Sequence, residues 1–200
     1  MTVILVRHGQ SEGNAAGVFQ GWSEYPLNET GRGEAAAAAG RLADSGAVAI
    51  YSSNLGRARQ TAEIIAAKVG LPVEEREGLH ERGFGEGEGL SWDEMEAKWG
   101  PDLRLGEDRI PGEEPLSDFR ERTTRAFEQI FEQHTDEIAI CVTHGGVLSM
   151  LVTHLLGVPP GGENARVRFS NCSLTVVELD RERRVLTSIN DACHTDGLAS

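Results

Sequence analysis

The sequence predicts an α/β fold, a three-layer αβα sandwich whose central sheet is mostly parallel with an antiparallel edge strand. Two apolar runs of buried-strand type, residues 3–6 and 138–142, each lead to a histidine followed by glycine, at His8 and His144. Segments with helical spacing alternate with the short apolar strands. Open α/β sheets bind ligands at the carboxyl ends of their strands, so we expect the two histidines to share one site.

Hydrophobic spacing and helix-capping residues place the individual elements. An N-cap at Asn28 predicts a helix over residues 29–44, and polar caps at residues 52–54 predict a second helix that ends near residue 69. Two C-terminal strands joined by the charged turn 180–183 supply the antiparallel part. The remaining predicted strands cover residues 47–51, 71–74, 172–179 and 184–189, and the remaining predicted helices cover residues 119–134 and 147–156.

The 200 residues are enough for one domain with a substantial hydrophobic core, and we predict a single domain over residues 1–200. A segment at about 77–116 is rich in glycine and charge around Trp92 and Trp99, which predicts a lid or insert with a short helix. Residues 157–162 break the chain with glycine and proline. The polar tail after residue 191 is predicted to be frayed.

The formal charge of −13 argues against nucleic-acid or anionic-membrane partners, which need an excess of Lys and Arg. Any anion must therefore meet a local basic pocket. No stretch approaches the ~18 apolar residues that cross a bilayer, so no membrane partner is expected. Three scattered cysteines without a CxxC pair favour a reducing compartment, and we expect a cytoplasmic protein. The sequence leaves a homodimer open.

The triplet Arg7-His8-Gly9 has the groups that phosphoryl chemistry needs. A neutral imidazole can attack phosphorus, a guanidinium can hold phosphoryl oxygens, and glycine permits close approach of the backbone. The triplet alone also fits a structural histidine at a strand end. His144, followed by the start of a predicted helix, adds a second imidazole and a helix N-terminus, which together favour an anion at the same point.

Two further segments carry charged candidates. Arg57 lies in the first turn of a predicted helix, where the helix dipole disfavours a cation, so an anionic ligand explains it better. A glycine-rich acidic loop, residues 79–89, contains Glu81, Glu86 and Glu88. A phosphate ester needs a carboxylic acid to protonate its leaving oxygen. Composition alone does not choose among the three glutamates.

Together these segments resemble the histidine phosphatase superfamily, in its phosphoglycerate mutase-like branch. Arg7-His8-Gly9 resembles the family signature, with Asn14 as the asparagine that follows it, and the pieces occur in the family's order. The other matching segments are residues 20–27 with the loop GWxDxPL, 52–62 with SSxLxRAxQTA, 79–89 with LRExxxGxxEG, and 143–146 with the second histidine motif. Departures at Glu24, Asn54, His80 and residues 111–115 bear on the substrate rather than on the chemistry. His80 and residues 100–116 are expected near the pocket mouth.

The resemblance implies a role for each matching residue. His8 would be the nucleophile that is transiently phosphorylated, and Glu81 would be the acid that protonates the leaving alcohol. Arg7, Arg57 and His144 would hold the phosphoryl oxygens, with a polar contact from Asn14, and with Gln20 and Gly21 on the loop that approaches the phosphate. No cofactor and no metal is implied. The rival reading, a metal site at the histidines, is disfavoured because no HxH, HExxH or DxD spacing occurs.

We therefore predict a metal-independent phosphatase-type member, a phosphomonoesterase that hydrolyses a small phosphorylated metabolite such as a sugar phosphate or phosphoglycerate. A cofactor-dependent phosphoglycerate mutase is the alternative, since it would use the same phosphohistidine. Mutases of this family tend to carry extra helical sequence between the acid and the second histidine, whereas the segment between Glu81 and His144 is short here. A non-catalytic module that binds phospho-ligands is a third hypothesis, and it would have no need of the acid.

Overall fold

The computed structural model describes residues 1–107, 109–158, 167–181 and 183–198. Within them six strands form one sheet in the order β3-β2-β4-β1-β5-β6. These strands are β1 (Thr2–Arg7), β2 (Ala49–Ser52), β3 (Val73–Glu75), β4 (Ile138–Thr143), β5 (Leu174–Asp180) and β6 (Arg183–Asp191). The first four strands are parallel to one another, whereas β5 pairs antiparallel with β1 and β6 pairs antiparallel with β5.

The antiparallel part of the sheet is a hairpin rather than a single edge strand. β5 lies inside the sheet against β1, and β6 forms the edge. The short charged connection between the two strands explains this arrangement, because a tight turn can join only antiparallel neighbours. The predicted mostly parallel sheet is confirmed, with this difference at one side.

The helices that the structure describes are α1 (Glu12–Ala16), α2 (Glu29–Leu42), α3 (Gly56–Val69), α4 (Trp92–Trp99), α5 (Leu116–Gln133) and α6 (Gly145–Leu155). The helix α1 lies in a segment with no helical pattern, because five residues are too few to show a period. A capping box explains it: Ser11 Oγ accepts the N–H of Asn14 at 3.1 Å, and Asn14 Oδ1 accepts the N–H of Ser11 at 3.2 Å.

Helices cover both faces of the sheet, which confirms the predicted three-layer sandwich. Side chains of α2 and α3 pack with Val6 and Ile140 on one face. Side chains of α5 and α6 pack with Leu5 and Cys141 on the other face. Because neighbouring strand residues point to opposite faces, β1 and β4 contribute to both cores. Ala35, Ala38 and Ala39 of α2 are buried with small residues of α3, so the alanine-rich sequence brings the two helices close together.

The predicted insert has a small hydrophobic cluster of its own. Met95, Leu103 and Ile110 are buried together, separately from the two cores that flank the sheet. The ion pair of Arg82 with Glu113, at 3.0 Å, joins two parts of this segment, and the ion pair of Glu114 with Arg122, at 2.6 Å, fastens it to α5. The segment therefore packs internally and is tied to α5 by charge.

The three cysteines form no disulfide with one another. Cys141 and Cys172 are buried, whereas Cys193 is exposed, and all three thiols are free. Burial raises the pKa of Cys141 to about 12.

The tail begins with a short 3₁₀ turn at Cys193–Thr195, and His194 Nε2 lies 3.0 Å from the carbonyl oxygen of Cys172. Of the predicted break at 157–162, residues 159–162 lie outside the described residues.

No helix in the described part of the chain is long and apolar enough to cross a membrane.

The core on the α2/α3 face should depend on Ile65 more than on its neighbour Ile64. Ile65 is fully buried, whereas Ile64 packs only partly against the same core. Replacement Ile65→Ala should lower the free energy of unfolding by about 2–5 kcal/mol, because it leaves a cavity. Ile64→Ala should cost clearly less. Chemical denaturation measures both, and equal losses would contradict the packing described.

Candidate active site

Parallel pairing of β1 with β4 brings the two histidines together. Arg7 lies opposite Thr143 in the ladder, so His8 and His144 follow two neighbouring strands at the same level. The backbone N–H of His8 donates to the carbonyl of Thr143 at 2.9 Å, and the ring centroids are 5.1 Å apart. The predicted convergence of the two strand-end histidines is therefore found.

The imidazole of His8 is oriented by its own loop. Nδ1 lies 2.7 Å from the carbonyl oxygen of Gly9, which can only accept a hydrogen bond, so Nδ1 carries the proton. The lone pair is consequently on Nε2, and His8 lines the cleft at this edge of the sheet. Gly9 itself approaches another backbone closely, because a Cβ there would lie 2.4 Å from the carbonyl oxygen of Gly31.

In the imidazole of His144 it is Nε2, rather than Nδ1, that has a hydrogen-bond partner. Its Nε2 lies 2.8 Å from Ser53 Oγ, and that hydroxyl oxygen already accepts the N–H of Leu55 at 3.2 Å. The hydroxyl hydrogen of Ser53 has no other acceptor among the described residues, so we assign it to Nε2, which places the ring proton of His144 on Nδ1. Nδ1 is buried and has no hydrogen-bond partner among the described residues.

Both histidines are held neutral. Burial is the main cause and lowers the pKa of His8 and of His144 well below the ordinary value of 6.5. The positive charges of Arg7 and Arg57 lower both pKa values further. The site therefore combines a neutral nitrogen lone pair on one ring with a neutral N–H donor on the other.

Two guanidinium groups stand beside the rings without an acidic partner among the described residues. Arg7 Nη1 donates to the carbonyl of Phe169 at 2.5 Å. Arg57, which is 1% exposed, donates to the carbonyls of Ser23 at 3.1 Å and Gly21 at 2.8 Å. In both arginines Nε is buried and has no partner in the part of the chain that is described. Fixed guanidinium groups with unused N–H donors are well suited to hold an oxyanion.

The position of Arg57 in the first turn of α3 is compensated by Glu24. The carboxylate of Glu24 accepts the N–H of Gly56, the first residue of the helix, at 3.1 Å. No side chain of the predicted caps at 52–54 caps the helix, and Leu55 takes the N-cap position. Glu24 thus supplies the negative charge that a helix N-terminus favours, and its partner is 32 residues away in the sequence.

Of the three glutamates that composition left open, only Glu81 lines the cleft. Its Oε1 accepts the N–H of Arg82, and its Oε2 accepts the N–H of Gly146, each at 2.9 Å. A Cβ at Gly146 would lie 2.2 Å from Oε1, so the carboxyl group reaches the start of α6 only because this residue is glycine.

The other two glutamates have structural contacts. The carboxylate of Glu88 accepts the backbone N–H groups of Trp22, Ser23 and Phe84, at 2.9 to 3.1 Å, and so ties two loops together. Glu86 is exposed and pairs with a lysine of α4 at 2.9 Å. Neither is placed to reach a substrate in the cleft.

The predicted polar residues after the first histidine also line the cleft. Asn14 has its Oδ1 engaged by Ser11, so its amide N–H₂ is left as a donor. Gln20 accepts a hydrogen bond from Ser11 Oγ at 2.7 Å through Oε1. Asn171 joins this group by donating to the carbonyl of His8 at 3.0 Å and to Asn14 Oδ1 at 3.3 Å.

Gly21 contacts Arg57 through its backbone. It lines the cleft with φ +50°, but its carbonyl oxygen accepts Arg57 Nη2. A Cβ there would lie 2.0 Å from Glu88 Oε1, so the loop passes too close for a larger residue. Gly21 therefore acts on the site through Arg57 in this structure.

The cleft has a volume of about 1320 Å³. Seven of the eight predicted site residues line it, and His144 lies directly beneath, fully buried. Residues 104–107 and 116–117 of the insert also line it, as expected for the pocket mouth, but His80 does not. No group of three or more His, Cys, Asp or Glu side chains in the described chain is arranged to hold a metal ion.

Several residues that position the site were not predicted from the sequence. Arg122 of α5 donates to the carbonyls of Gly78, His80 and Glu81 and to both oxygens of Glu114, so all five of its N–H groups are used. Its spacing along α5 marks only a polar helix face, which gives no sign of these contacts. Trp22, Ser53 and Asn171 contact the proposed site residues from other segments, and their partners are distant in sequence.

The sequence matches the family model of the histidine phosphatase superfamily (branch 1) over residues 3–192. The chain belongs to this family. A metal-independent phosphoserine phosphatase of Arabidopsis thaliana is 37% identical over 200 residues, which cover 96% of this chain and 82% of that protein. A probable phosphoglycerate mutase, GpmB, of Yersinia enterocolitica is 34% identical over 206 residues, which cover 98% of this chain and 95% of that protein.

A solved structure of a mycobacterial glucosyl-3-phosphoglycerate phosphatase superposes with a TM-score of 0.85 at 28% identity, covering 95% of this chain and 98% of that one. The predicted membership of the histidine phosphatase superfamily is confirmed. The expected class, hydrolysis of phosphate monoesters, is confirmed at the level of the family and its named phosphatases. A mutase name also occurs among the relatives.

The hydroxyl group of Ser53 should fix the tautomer of His144. Imidazole ¹⁵N NMR is expected to show the Nδ1–H form in the unaltered protein and a shift towards the Nε2–H form in Ser53→Ala. Ser52→Ala is the matched control, since Ser52 is equally buried but donates to the carbonyl of Ser53. A spectrum of His144 that is the same in all three proteins would contradict the hydrogen-bond assignment.

Both buried histidines should resist protonation. Because their folded-state pKa values lie well below 6.5, the imidazole C–H resonances of His8 and His144 should not titrate as the pH falls from 8 to about 6. Two-dimensional NMR follows the signals, and His8→Asn and His144→Asn assign them. Midpoints at or above 6.5 would contradict the effect of burial.

Proposed function

We propose that this member of the family is a metal-independent phosphomonoesterase that hydrolyses a small phosphorylated metabolite through a phosphohistidine at His8. One observation carries the proposal. The lone pair of His8 Nε2 faces a cleft beside three N–H donors that have no partner among the described residues, namely Arg7 Nε, Arg57 Nε and His144 Nδ1. A nucleophile surrounded by unused donors fits a phosphoryl group and its oxygens.

In the first step, the lone pair of His8 Nε2 forms a bond to phosphorus while the ester P–O bond breaks. The carboxylic acid of Glu81 gives its proton to the departing oxygen, so the alcohol leaves neutral. Arg7, Arg57 and His144 donate to the equatorial oxygens, where negative charge is spread in the transition state. The His8 proton stays on Nδ1, held by the carbonyl of Gly9.

In the second step, the carboxylate of Glu81 takes a proton from a water molecule whose oxygen attacks the phosphorus. The bond between phosphorus and Nε2 breaks, inorganic phosphate forms, and both His8 and Glu81 return to their starting states. The N–H groups of Arg82 and Gly146 hold the carboxyl of Glu81 in place through both steps. Asn14 and Gln20 add donors at the side of the cleft.

A phosphoglycerate mutase is the second candidate, because a relative carries that name and the same phosphohistidine would serve it. The two reactions differ in whether water or a second hydroxyl receives the phosphoryl group. The similar phosphatases and the short segment between Glu81 and His144 favour water. A module that only binds phospho-ligands is disfavoured, because it would not need the oriented carboxyl of Glu81.

The proposal also covers the cellular compartment, the role of the insert and the oligomeric state. We place the enzyme in the cytoplasm, since all three thiols are free and burial raises the pKa of Cys141 to about 12, which leaves that thiol unreactive. Residues 77–116 would cover the bound substrate as a lid, because residues 104–107 line the cleft. A homodimer stays a prediction, which light scattering would test.

The phosphohistidine and the fate of its phosphoryl group test the proposed reaction. Enzyme incubated with a ³²P-labelled ester and quenched in alkaline detergent, in which the P–N bond of phosphohistidine is stable, should retain label that is lost in His8→Ala. With 3-phosphoglycerate, release of inorganic phosphate should exceed formation of 2-phosphoglycerate, with or without 2,3-bisphosphoglycerate. Isomerisation faster than phosphate release would make the enzyme a mutase. Unlabelled but active enzyme would overturn the nucleophile assignment.

The role of Glu81 predicts a dependence on the leaving group. Glu81→Gln should lower kcat/KM, which reports the phosphorylation step alone, by about 10²–10⁴-fold for alkyl phosphates, whose alkoxide needs a proton. It should lower kcat/KM much less for 4-nitrophenyl phosphate, whose phenolate leaves unaided. Glu86→Gln is the control, since Glu86 is on the same loop but exposed and outside the cleft. Equal losses on both substrates would exclude Glu81 as the acid.

A further inference from the structure

The indole of Trp22 contacts the backbone of the proposed acid from outside the cleft. Trp22 does not line the cleft and is 50% exposed, so it is placed neither to touch a bound substrate nor to fill a core. Its Nε1–H nevertheless donates to the carbonyl oxygen of Glu81 at 2.8 Å. Water can satisfy an exposed indole N–H, so burial does not require this bond.

The carbonyl that accepts this bond belongs to the peptide group that holds the carboxyl of Glu81. The C=O of Glu81 and the N–H of Arg82 are the two ends of one planar peptide unit. That N–H donates to Glu81 Oε1 at 2.9 Å. A donor on the carbonyl fixes the plane of the peptide and polarises it, which strengthens the bond that its N–H makes. Only one peptide unit therefore separates the indole N–H of Trp22 from the carboxyl group.

The loop that carries Trp22 is attached to a proposed phosphate donor. The carbonyls of Gly21 and Ser23, its two neighbours in the chain, accept Arg57 at 2.8 and 3.1 Å. The ring of Trp22 lies against Gly83, where a Cβ would be 3.0 Å from Trp22 Cε2. The backbone of this loop is thus fixed to Arg57, and the indole is fixed to the loop of the acid.

We propose that Trp22 is a positioning residue that orients the Glu81 carboxyl relative to the phosphoryl group held by Arg57. This role rests on the phosphatase function proposed above, with Glu81 as its acid. The indole N–H fixes the peptide unit that binds the carboxyl group, and the backbone on either side of the indole binds Arg57. Without the indole N–H, the carboxyl loses alignment with the leaving oxygen while the phosphate donors stay in place.

A matched pair of esters separates this role from a general loss of structure. Benzyl phosphate and 4-nitrophenyl phosphate are similar in size, but only the first has a leaving oxygen basic enough to need a proton. Trp22→Phe keeps an aromatic ring and removes the N–H. It should lower kcat/KM about tenfold for benzyl phosphate and less than about twofold for 4-nitrophenyl phosphate. The loss is smaller than for Glu81→Gln, because Arg122 donates to the same carbonyl at 2.8 Å and retains it.

A double variant shows whether Trp22 acts through Glu81. In the Glu81→Gln background, Trp22→Phe should lower kcat/KM for benzyl phosphate by less than about twofold, because proton transfer from Glu81 is already absent. Trp99→Phe is the control and should change neither ester, since Trp99 lies in the insert at the end of α4 and outside the cleft lining. No loss, equal losses on the two esters, or a tenfold loss in the Glu81→Gln background would overturn the positioning role while leaving the phosphatase function intact.

A failure of the phosphatase function is recognised separately. If neither ester releases phosphate with the unaltered protein, hydrogen exchange measured by NMR still tests the positioning. The amide hydrogen of Arg82 should exchange faster in Trp22→Phe, because its bond to Glu81 Oε1 is weakened, and at the unaltered rate in Trp99→Phe. An Arg82 amide that exchanges equally fast in Trp22→Phe and in the unaltered protein would refute the role.

Discussion

The parallel pairing of β1 with β4 is the constraint on which the rest of the site depends. Hydrophobic packing fixes its register, because a slip by one residue would turn Leu5 away from α5 and α6 and towards the opposite layer. That same register places His8 level with His144. The two cores that flank the sheet therefore set the distance between the two rings.

Burial gives the two rings their chemical character. Removing both imidazoles from water beside two guanidinium groups keeps them uncharged, so the positive charge of the site is supplied by arginine alone. Both neutral rings carry their proton on Nδ1, and they differ in which nitrogen has a partner: Nδ1 binds the carbonyl of Gly9 in His8, whereas Nε2 binds the hydroxyl of Ser53 in His144. Two chemically identical side chains thus become an acceptor and a donor through a single neighbour each.

Local patterns allowed the sequence to predict the elements and most of the candidate site. The strand-end histidines and the Asn28 cap are visible within a few neighbouring residues, and the family's motifs singled out Glu81 from its loop. The contacts that were not predicted join distant segments. Glu24 caps α3 from 32 residues away, and Arg122 reaches the acid loop from a helix face that resembles a solvated one. Such contacts depend on the assembled sheet and leave no period in the sequence.

Arg122 connects the insert to the loop that carries Glu81. Its five N–H groups are divided between Glu114, at the end of the insert, and the backbone of the loop that carries Glu81. A saturated, planar guanidinium has no spare donor with which to absorb a displacement. The position of Glu114 and that of the Glu81 carbonyl are therefore fixed to the same guanidinium. If Glu81 is the acid as proposed, a shift of the insert at Glu114 would change the placement of the proton donor through one rigid side chain.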